Sequence, residues 1–373
     1  MAKKIGILTA GSDCPGLNAA IRAVGKTARN SYGMQILGFQ DGFQGLVQDR
    51  TISLEGESLS GILSGGGTIL GTSRDQPHRM VEKGQVQDML DTAVANIKKH
   101  HLDALVCIGG RETQQSALHL MQKGVNVISL PKAIDNILAG TDLTIGFSTA
   151  LDIATEAIDR LHSTAYSNHR VILVEILGRE AGWLTLGAGI AGGADVIAIP
   201  EIPYDAQKIA DAVLARNHEG KKYSIIAVAE GALAKETVSF FEHSRKVNES
   251  LRSGDEKEKV EETLDQIEDR LTGNAIQLAY RIEHLTGLET RVTILGHLLR
   301  GGGPSSADRI LATQLGTASV WLVNEGHFGV MVASVGGSIQ AVSLEKVAGL
   351  SKLVPADHTW IDCARRVGTS LGD

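Results

Sequence analysis

The most constraining feature of this chain is a repeated two-part pattern, a short β-branched run with glycine or proline and polar residues directly behind it. The runs are Lys4–Leu8, Ala104–Ile108, Val125–Leu130, Val171–Ile176, Val196–Ile199, Ser224–Ala229, Val292–Leu295 and Val330–Val335, and helical stretches separate them. A parallel neighbour needs a crossover long enough to hold a helix, so strands alternating with helices predict an α/β fold with a mostly parallel sheet. The breaks behind the strands read Gly11-Ser12-Asp13, Gly109-Gly110-Arg111, Pro131-Lys132-Ala133, Gly178-Arg179, Pro200-Glu201 and Gly296-His297. Ligands of open α/β sheets bind beyond the carboxyl ends of the strands, which makes these loops the expected functional edge.

With 373 residues and 43% apolar content, the chain is large enough for two domains with sizeable cores. No run approaches the roughly 18 uninterrupted apolar residues of a membrane span, and the opening Met1–Leu8 segment is too short and broken for a signal peptide. A cytoplasmic protein is expected. Cys14, Cys107 and Cys363 form no disulfide framework and no C-x-x-C pair, and Cys107 reads as a core residue. A balance of 36 basic against 43 acidic side chains, net −7, gives no whole-chain attraction to nucleic acid or an anionic membrane. From Leu233 to about Thr272 the composition turns charged and nearly glycine-free, which reads as an exposed helical insertion with a joint at Ser253-Gly254.

Gly11-Ser12-Asp13-Cys14-Pro15-Gly16-Leu17-Asn18 follows the first strand and opens a helix, where backbone N–H groups can cradle a phosphate. Leu17-Asn18 stands where a P-loop needs Lys-Ser/Thr, so a Walker-type site is excluded, and the loop also fits a plain tight connection. Gly187-x-Gly189-x-x-Gly192 spells a dinucleotide fingerprint but precedes a strand, so it reads as close helix packing. The Gly65–Gly67 and Gly301–Gly303 runs are mobile or close-approach loops beside Arg74 and Arg300. Arg170, Arg179, His297 and Arg300 lie at or beside strand ends, and cations converging on one glycine-lined edge of an acidic protein point to a phosphorylated substrate. Asp135, in Pro131-Lys132-Ala133-Ile134-Asp135-Asn136, reads either as a general base or as a turn aspartate.

These blocks resemble 6-phosphofructokinases over nearly the whole chain: Ile5–Asn18, Asp135-Asn136, Gly140–Phe147, Glu156–Leu161, Val174–Arg179, Ile190–Gly193 and Leu295–Gly302. The resemblance implies two doubly wound three-layer α/β domains with mostly parallel sheets. Residues 1–146 with about 299–345 would form the phosphoryl-donor domain, and 147–298 with about 346–373 the sugar-phosphate domain, the insertion at about 233–272 lying in the latter. It implies phosphoryl transfer from ATP or pyrophosphate to the 1-hydroxyl of fructose 6-phosphate, a glycolytic step. Asp135 matches the catalytic base, with Arg179 and Arg74 on the transferring phosphoryl. Arg170 and Arg291 match arginines that reach the 6-phosphate from a neighbouring subunit; His297 and Arg300 match its ligands from the same chain. Glu230 matches the carboxylate on the sugar hydroxyls, and Leu177 and Gly178 the loop beneath the sugar. Gly11, Ser12, Phe43, Gly110, Arg111, Glu112, Thr113 and Lys132 fall in the donor site, with Phe43 where ATP users often stack an aromatic on adenine. A homo-oligomer is implied, at least a dimer and by resemblance a tetramer. Arg22, Lys26, Arg160, His162 and Lys221-Lys222 fall near effector positions of some bacterial members.

The donor motifs depart from the family. Arg111 replaces a magnesium-binding aspartate, Ala133 and Ile137 replace threonine and aspartate of Thr-Ile-Asp-Asn-Asp, and Ser12 replaces a usual glycine. Losing metal stabilisation of several kcal/mol would slow turnover by roughly 10³-fold. Mg²⁺ is thus implied by the family but opposed by these side chains. Lys132 resembles the lysine of pyrophosphate users and of some ATP users, Glu112 points toward pyrophosphate, and Phe43 and Arg74 toward ATP. Two readings follow: a phosphofructokinase with unusual donor chemistry, or a catalytically weak regulatory subunit that binds sugar phosphate and partners an active paralogue.

Overall fold

The structure is a computed structural model and describes every residue except 1–2, 83, 252–254 and 272–274. Ala104–Gly109 is buried along its whole length, as a strand covered on both faces must be. It lies in a seven-stranded sheet whose order is Ser338–Ser343, Val330–Val335, Val127–Pro131, Ala104–Gly109, Lys4–Ala10, Gln35–Phe39 and Thr51–Ser53. The five inner strands are parallel, and both edge strands are antiparallel to their neighbours. Alternation along the strands fills two layers. Leu8, Leu105, Cys107 and Val127 pack in one cluster with Phe43, Leu46, Ala117 and Leu120 from helices Gly42–Val47 and Arg111–Gln122. Ile5, Ile7, Val106, Ile108 and Ile128 point the other way and are also fully buried.

The chain divides into two compact units, Met1–Ala150 with Arg300–Lys352, which holds this sheet, and Leu151–Leu299 with Leu353–Asp373. The second unit is built on a four-stranded, all-parallel sheet ordered Thr290–Ile294, Val171–Ile176, Ser224–Ala229 and Val196–Ala198. Its core joins Leu173, Val196, Ile226 and Val228 to Ile209, Val213, Leu278 and Ile282 of helices Ala206–His218 and Ala275–Thr286.

The parallel α/β architecture matches the expectation from the strand-then-glycine pattern. Among the described residues five strands lacked that signal: Gln35–Phe39, Thr51–Ser53, the polar Ser338–Ser343, and Met80–Glu82 with Gln85–Gln87, which pair in a separate two-stranded sheet. The glycines at 187 and 189 sit inside helix Trp183–Ala191, where a Cβ at Gly189 would lie 2.6 Å from Ile197 and one at Gly187 3.1 Å from Trp360. Close packing is their use. The charged insertion forms helices Lys235–Leu251 and Asp255–Leu271, joined by Arg245 to Glu261 and Asp265 at 3.1 and 3.0 Å. Its Ser253-Gly254 joint lies outside the described residues. Among the described residues no helix is long and apolar enough to cross a membrane.

Candidate active site

In the first unit, chain order reverses between two adjacent parallel strands, Lys4–Ala10 and Ala104–Gly109. The crevice at such a switch point is where open α/β sheets bind ligands. The Gly11–Gly16 loop leaves the first of these strands, and helix Leu17–Tyr32 begins behind it. The loop is fixed from several sides. Gly11 N–H donates to Ser73 O at 2.8 Å, Thr72 Oγ1 donates to Gly11 O at 2.6 Å, and Arg74 reaches Ser12 Oγ at 3.4 Å. Lys132 Nζ donates to the Ser12 carbonyl and Arg300 Nη1 to the Asp13 carbonyl.

The two triple-glycine runs meet backbone to backbone. A Cβ at Gly66 would stand 2.2 Å from Gly302 O, so neither a mobile loop nor any larger residue fits there. Asn18 locks the first run by donating to Gly65 O and Gly66 O and accepting from Ile69 N–H at 2.7 Å.

Asp135 follows strand Val127–Pro131. Burial pushes its carboxyl above the usual range, against hydrogen bonds from its own N–H and that of Ile137 and against the charges of Arg300 and Lys132. The bond from Ile137 fills the turn role open in the sequence, and the raised basicity suits a proton acceptor. Lys132 is 4% exposed, and burial pulls its ammonium below the ordinary lysine range, reinforced by Arg300 and opposed by Asp135 and Asp13. Asn136, with φ 53°, donates to Asp142 O at 2.9 Å and accepts from Thr144 Oγ1. Cys14 is fully buried and pushed up to about 12 by that burial, which makes it an inert core thiol.

The substituted positions do not fit a protein-held Mg²⁺. Arg111 opens helix Arg111–Gln122 and donates to Ser351 Oγ at 2.8 Å; Ile137 is 9% exposed and apolar; the Ala133 carbonyl is taken by Thr144 Oγ1. Among the described residues no group of three His, Cys, Asp or Glu side chains is arranged to hold a metal. Phe43 requires a correction. Its ring is 1% exposed and belongs to the core, so it presents no free face for an adenine, although it walls a narrow recess with Gly11, Arg74, Glu112 and Thr113.

In the second unit, Leu177-Gly178, Glu230 and His297 all follow carboxyl ends of strands in the four-stranded sheet, which brings them to one edge. Glu230 N–H donates to Ile176 O at 2.9 Å and Gly231 N–H to Gly178 O at 3.0 Å. Gly231 is obligatory, because a Cβ there would lie 1.8 Å from Arg179 O. Arg179 and His297 are exposed. Arg170 does not join them. It precedes strand Val171–Ile176, and Arg291 is the second residue of its strand, so both sit at the amino end of this sheet. That is roughly 15–20 Å from the loops at about 3.3 Å per residue. The expected convergence of Arg170 with Arg179 and His297 is therefore not present within one chain. Arg170 instead pairs with Glu289 at 2.8 Å, and Glu289 also takes Arg291.

Residues 4–323 match the phosphofructokinase family. The chain belongs to that family. It is 51% identical, over all 373 residues of both chains, to the ATP-dependent 6-phosphofructokinase of Propionibacterium freudenreichii subsp. shermanii. It is 48% identical to that of Spirochaeta thermophila, covering 100% of this chain and 98% of the other. Among solved structures, phosphofructokinase from Saccharomyces cerevisiae matches at 30% identity and TM-score 0.74, over 92% of this chain and 45% of that one. A pyrophosphate-dependent phosphofructokinase from Marinobacter aquaeolei shares the fold at TM-score 0.77 and 20% identity, over 99% and 92%.

Two carboxylates of the chain were missed by sequence reasoning. Hydrogen bonding from Arg170 holds Glu289 below the usual carboxylate range, and nothing in Leu288-Glu289-Thr290 signals this. Glu175 is 8% exposed, its Oε2 has no hydrogen-bond partner among the described residues, and burial, with the charge of Glu230 adding to it, pushes its carboxyl up. A lone glutamate inside Val171–Ile176 was the available signal. Of the effector-type residues, Lys221 and Lys222 line a cavity of about 530 Å³ with Tyr166, His169, Arg216 and Tyr223, while Arg160 pairs with Glu156.

Proposed function

We propose that this phosphofructokinase transfers the terminal phosphoryl group of ATP to the 1-hydroxyl of fructose 6-phosphate. The observation that carries the reading is Asp135: a carboxylate of raised basicity that feels the charges of Arg300 and Lys132, the two cations that also hold the switch-point loop of the first unit. Asp135 accepts the hydroxyl proton as the new O–P bond forms and the bond to the donor's bridging oxygen breaks. Such transfer depends on positioning and charge neutralisation more than on covalent help. Lys132 and Arg74 of the first unit supply positive charge, and Arg179 holds the family position of a further phosphoryl-binding cation. No step is routed through Mg²⁺, because Arg111 and Ile137 oppose its binding at the family position.

In the second unit, Glu230, Leu177 and Gly178 take the sugar and His297 its 6-phosphate, for which Arg300 of the first unit holds the family position of a further ligand. Arg170 and Arg291, at the opposite end of the sheet, serve the 6-phosphate of a neighbouring copy, which makes the functional form a homo-oligomer of at least two chains and, by family, a tetramer. ATP as donor is supported by the names of relatives sharing about half their residues with this chain. Glu112, at the position where a side chain obstructs the ATP α-phosphate, favours pyrophosphate as a second reading.

A coupled assay with each donor in turn decides. Turnover of about one per second or faster with ATP supports the leading reading, and the same rate with pyrophosphate alone supports the second. Calorimetric binding of fructose 6-phosphate without turnover on either donor would leave the regulatory role.

A further inference from the structure

We propose that Lys352 is a positioning residue for the loop that carries Asp135, and that Arg111 completes the same clamp by holding Ser351. The proposal deepens the reading of Asp135 as the base and rests on it. Lys352 grips the loop at both ends. Its Nζ donates to Thr141 O at 2.8 Å and Asp142 O at 2.9 Å, and its backbone N–H donates to Ile137 O at 2.6 Å. A β-bridge between Leu138 and Ser351 lies alongside. The Asp142 carbonyl also accepts from Asn136 Nδ2, so the ammonium and the side chain next to Asp135 meet on one oxygen. Asn136 holds a positive φ of 53°, a conformation that persists only where its surroundings over-determine it. From the other side, Arg111 Nη1 donates to Ser351 Oγ at 2.8 Å. One dipeptide therefore ties the helix that starts at Arg111 to the base loop. The arginine at the family's metal-ligand position has a structural use of its own.

An ammonium on two carbonyls makes charge-assisted bonds, which are about twice as strong as neutral ones. Burial pulls Lys352 down to about 8, and Asp142, the charged group facing it, opposes that shift. Arg111 lies one residue along, on Ser351. The sign matters. Between pH about 8 and the ordinary lysine range the unfolded chain binds more protons, so stability does not fall as the pH rises there, while the bonds to the loop weaken.

The test uses Lys352→Met and Lys352→Arg in the full chain. Lys352→Met should lower kcat roughly 10- to 100-fold with KM for fructose 6-phosphate within about twofold; Lys352→Arg should keep most of kcat. The kcat of the parent chain should decline above pH about 8, and the arginine variant should lose that decline because a guanidinium stays charged. Hydrogen exchange of residues 136–146 should quicken in Lys352→Met while the remaining protection is unchanged. Unchanged exchange overturns the clamp whether or not the chain turns over, and normal kcat in Lys352→Met with inactive Asp135→Asn overturns it while the base stands. Full activity of Asp135→Asn would remove the base reading, and the catalytic purpose of the clamp with it.

Discussion

The site residues of the two units are held in opposite ways. In the first, Lys132, Arg300, Asp135 and Arg111 all spend hydrogen bonds on the protein itself, chiefly on backbone carbonyls and N–H groups of neighbouring loops. In the second, His297 stands exposed at a strand edge, and Arg170 and Arg291 share a surface carboxylate. The difference follows from what each must do. A phosphoryl transfer site works by charges already in place, so reorganisation during the reaction is avoided. A site that admits and releases a sugar phosphate needs cations whose partners can be exchanged.

The sharpest way to break this comparison is Asp135→Asn. It should lower kcat by about 10²- to 10⁴-fold while calorimetric affinity for fructose 6-phosphate changes little. The folded chain holds the Asp135 proton more tightly than the unfolded chain, so ionisation near neutral pH costs stability. The same variant should therefore melt about 1–3 °C higher. A lower Tm would show that the carboxylate is a structural turn residue first.

Next comes Arg170→Ala, expected to raise KM for fructose 6-phosphate roughly 10- to 100-fold with a smaller change in kcat. At fructose 6-phosphate well below the KM of the parent chain, mixing Arg170→Ala with Asp135→Asn under conditions of subunit exchange should recover roughly a quarter of parent activity, because hybrid pairs rebuild one intact site. Failure of two otherwise folded variants to complement would place both residues in the service of one chain.

A smaller effect is expected at Glu289. Its carboxylate occupies both arginines and must yield to an incoming phosphate, so Glu289→Gln should tighten fructose 6-phosphate binding by about two- to fivefold. Weaker binding in calorimetry would mean that Glu289 aims the arginines. The smallest change is Phe43→Leu, a near volume-conserving core swap costing less than about 1.5 kcal/mol. KM for ATP should stay within about twofold; a clear rise would restore Phe43 as a base-stacking residue.

The sheet architecture was legible because parallel strands are buried on both faces and read as continuous apolar runs, as in Ala104–Gly109. Edge strands such as Ser338–Ser343 carry polar residues on their open side and lose that signal. The loops were legible through glycine, which marked the Gly66–Gly302 approach without saying that the two runs approach one another. The base loop could be found from Pro131–Asn136, but not Lys352, whose role depends on a chain crossing more than two hundred residues later. Arg170 misled for a related reason: a residue beside a strand is visible in sequence, whereas the end of the sheet it occupies depends on strand direction. Phe43 was assigned by position, and its burial depends on packing by Leu46, Leu120 and their neighbours.

The division of the chain at Ala150 and Arg300 also sets an order of events during synthesis. The first unit cannot finish its sheet until strands Val330–Val335 and Ser338–Ser343 leave the ribosome, after the strands of the second unit have already emerged. At about 5–20 residues per second, the interval while the intervening segment is made is on the order of ten seconds. Throughout it, strand Val127–Pro131 presents an unpaired apolar edge to the surrounding solvent. Slowing translation downstream of residue 150 should therefore raise the yield of aggregate and the demand for chaperones, even though no residue of the finished protein has changed.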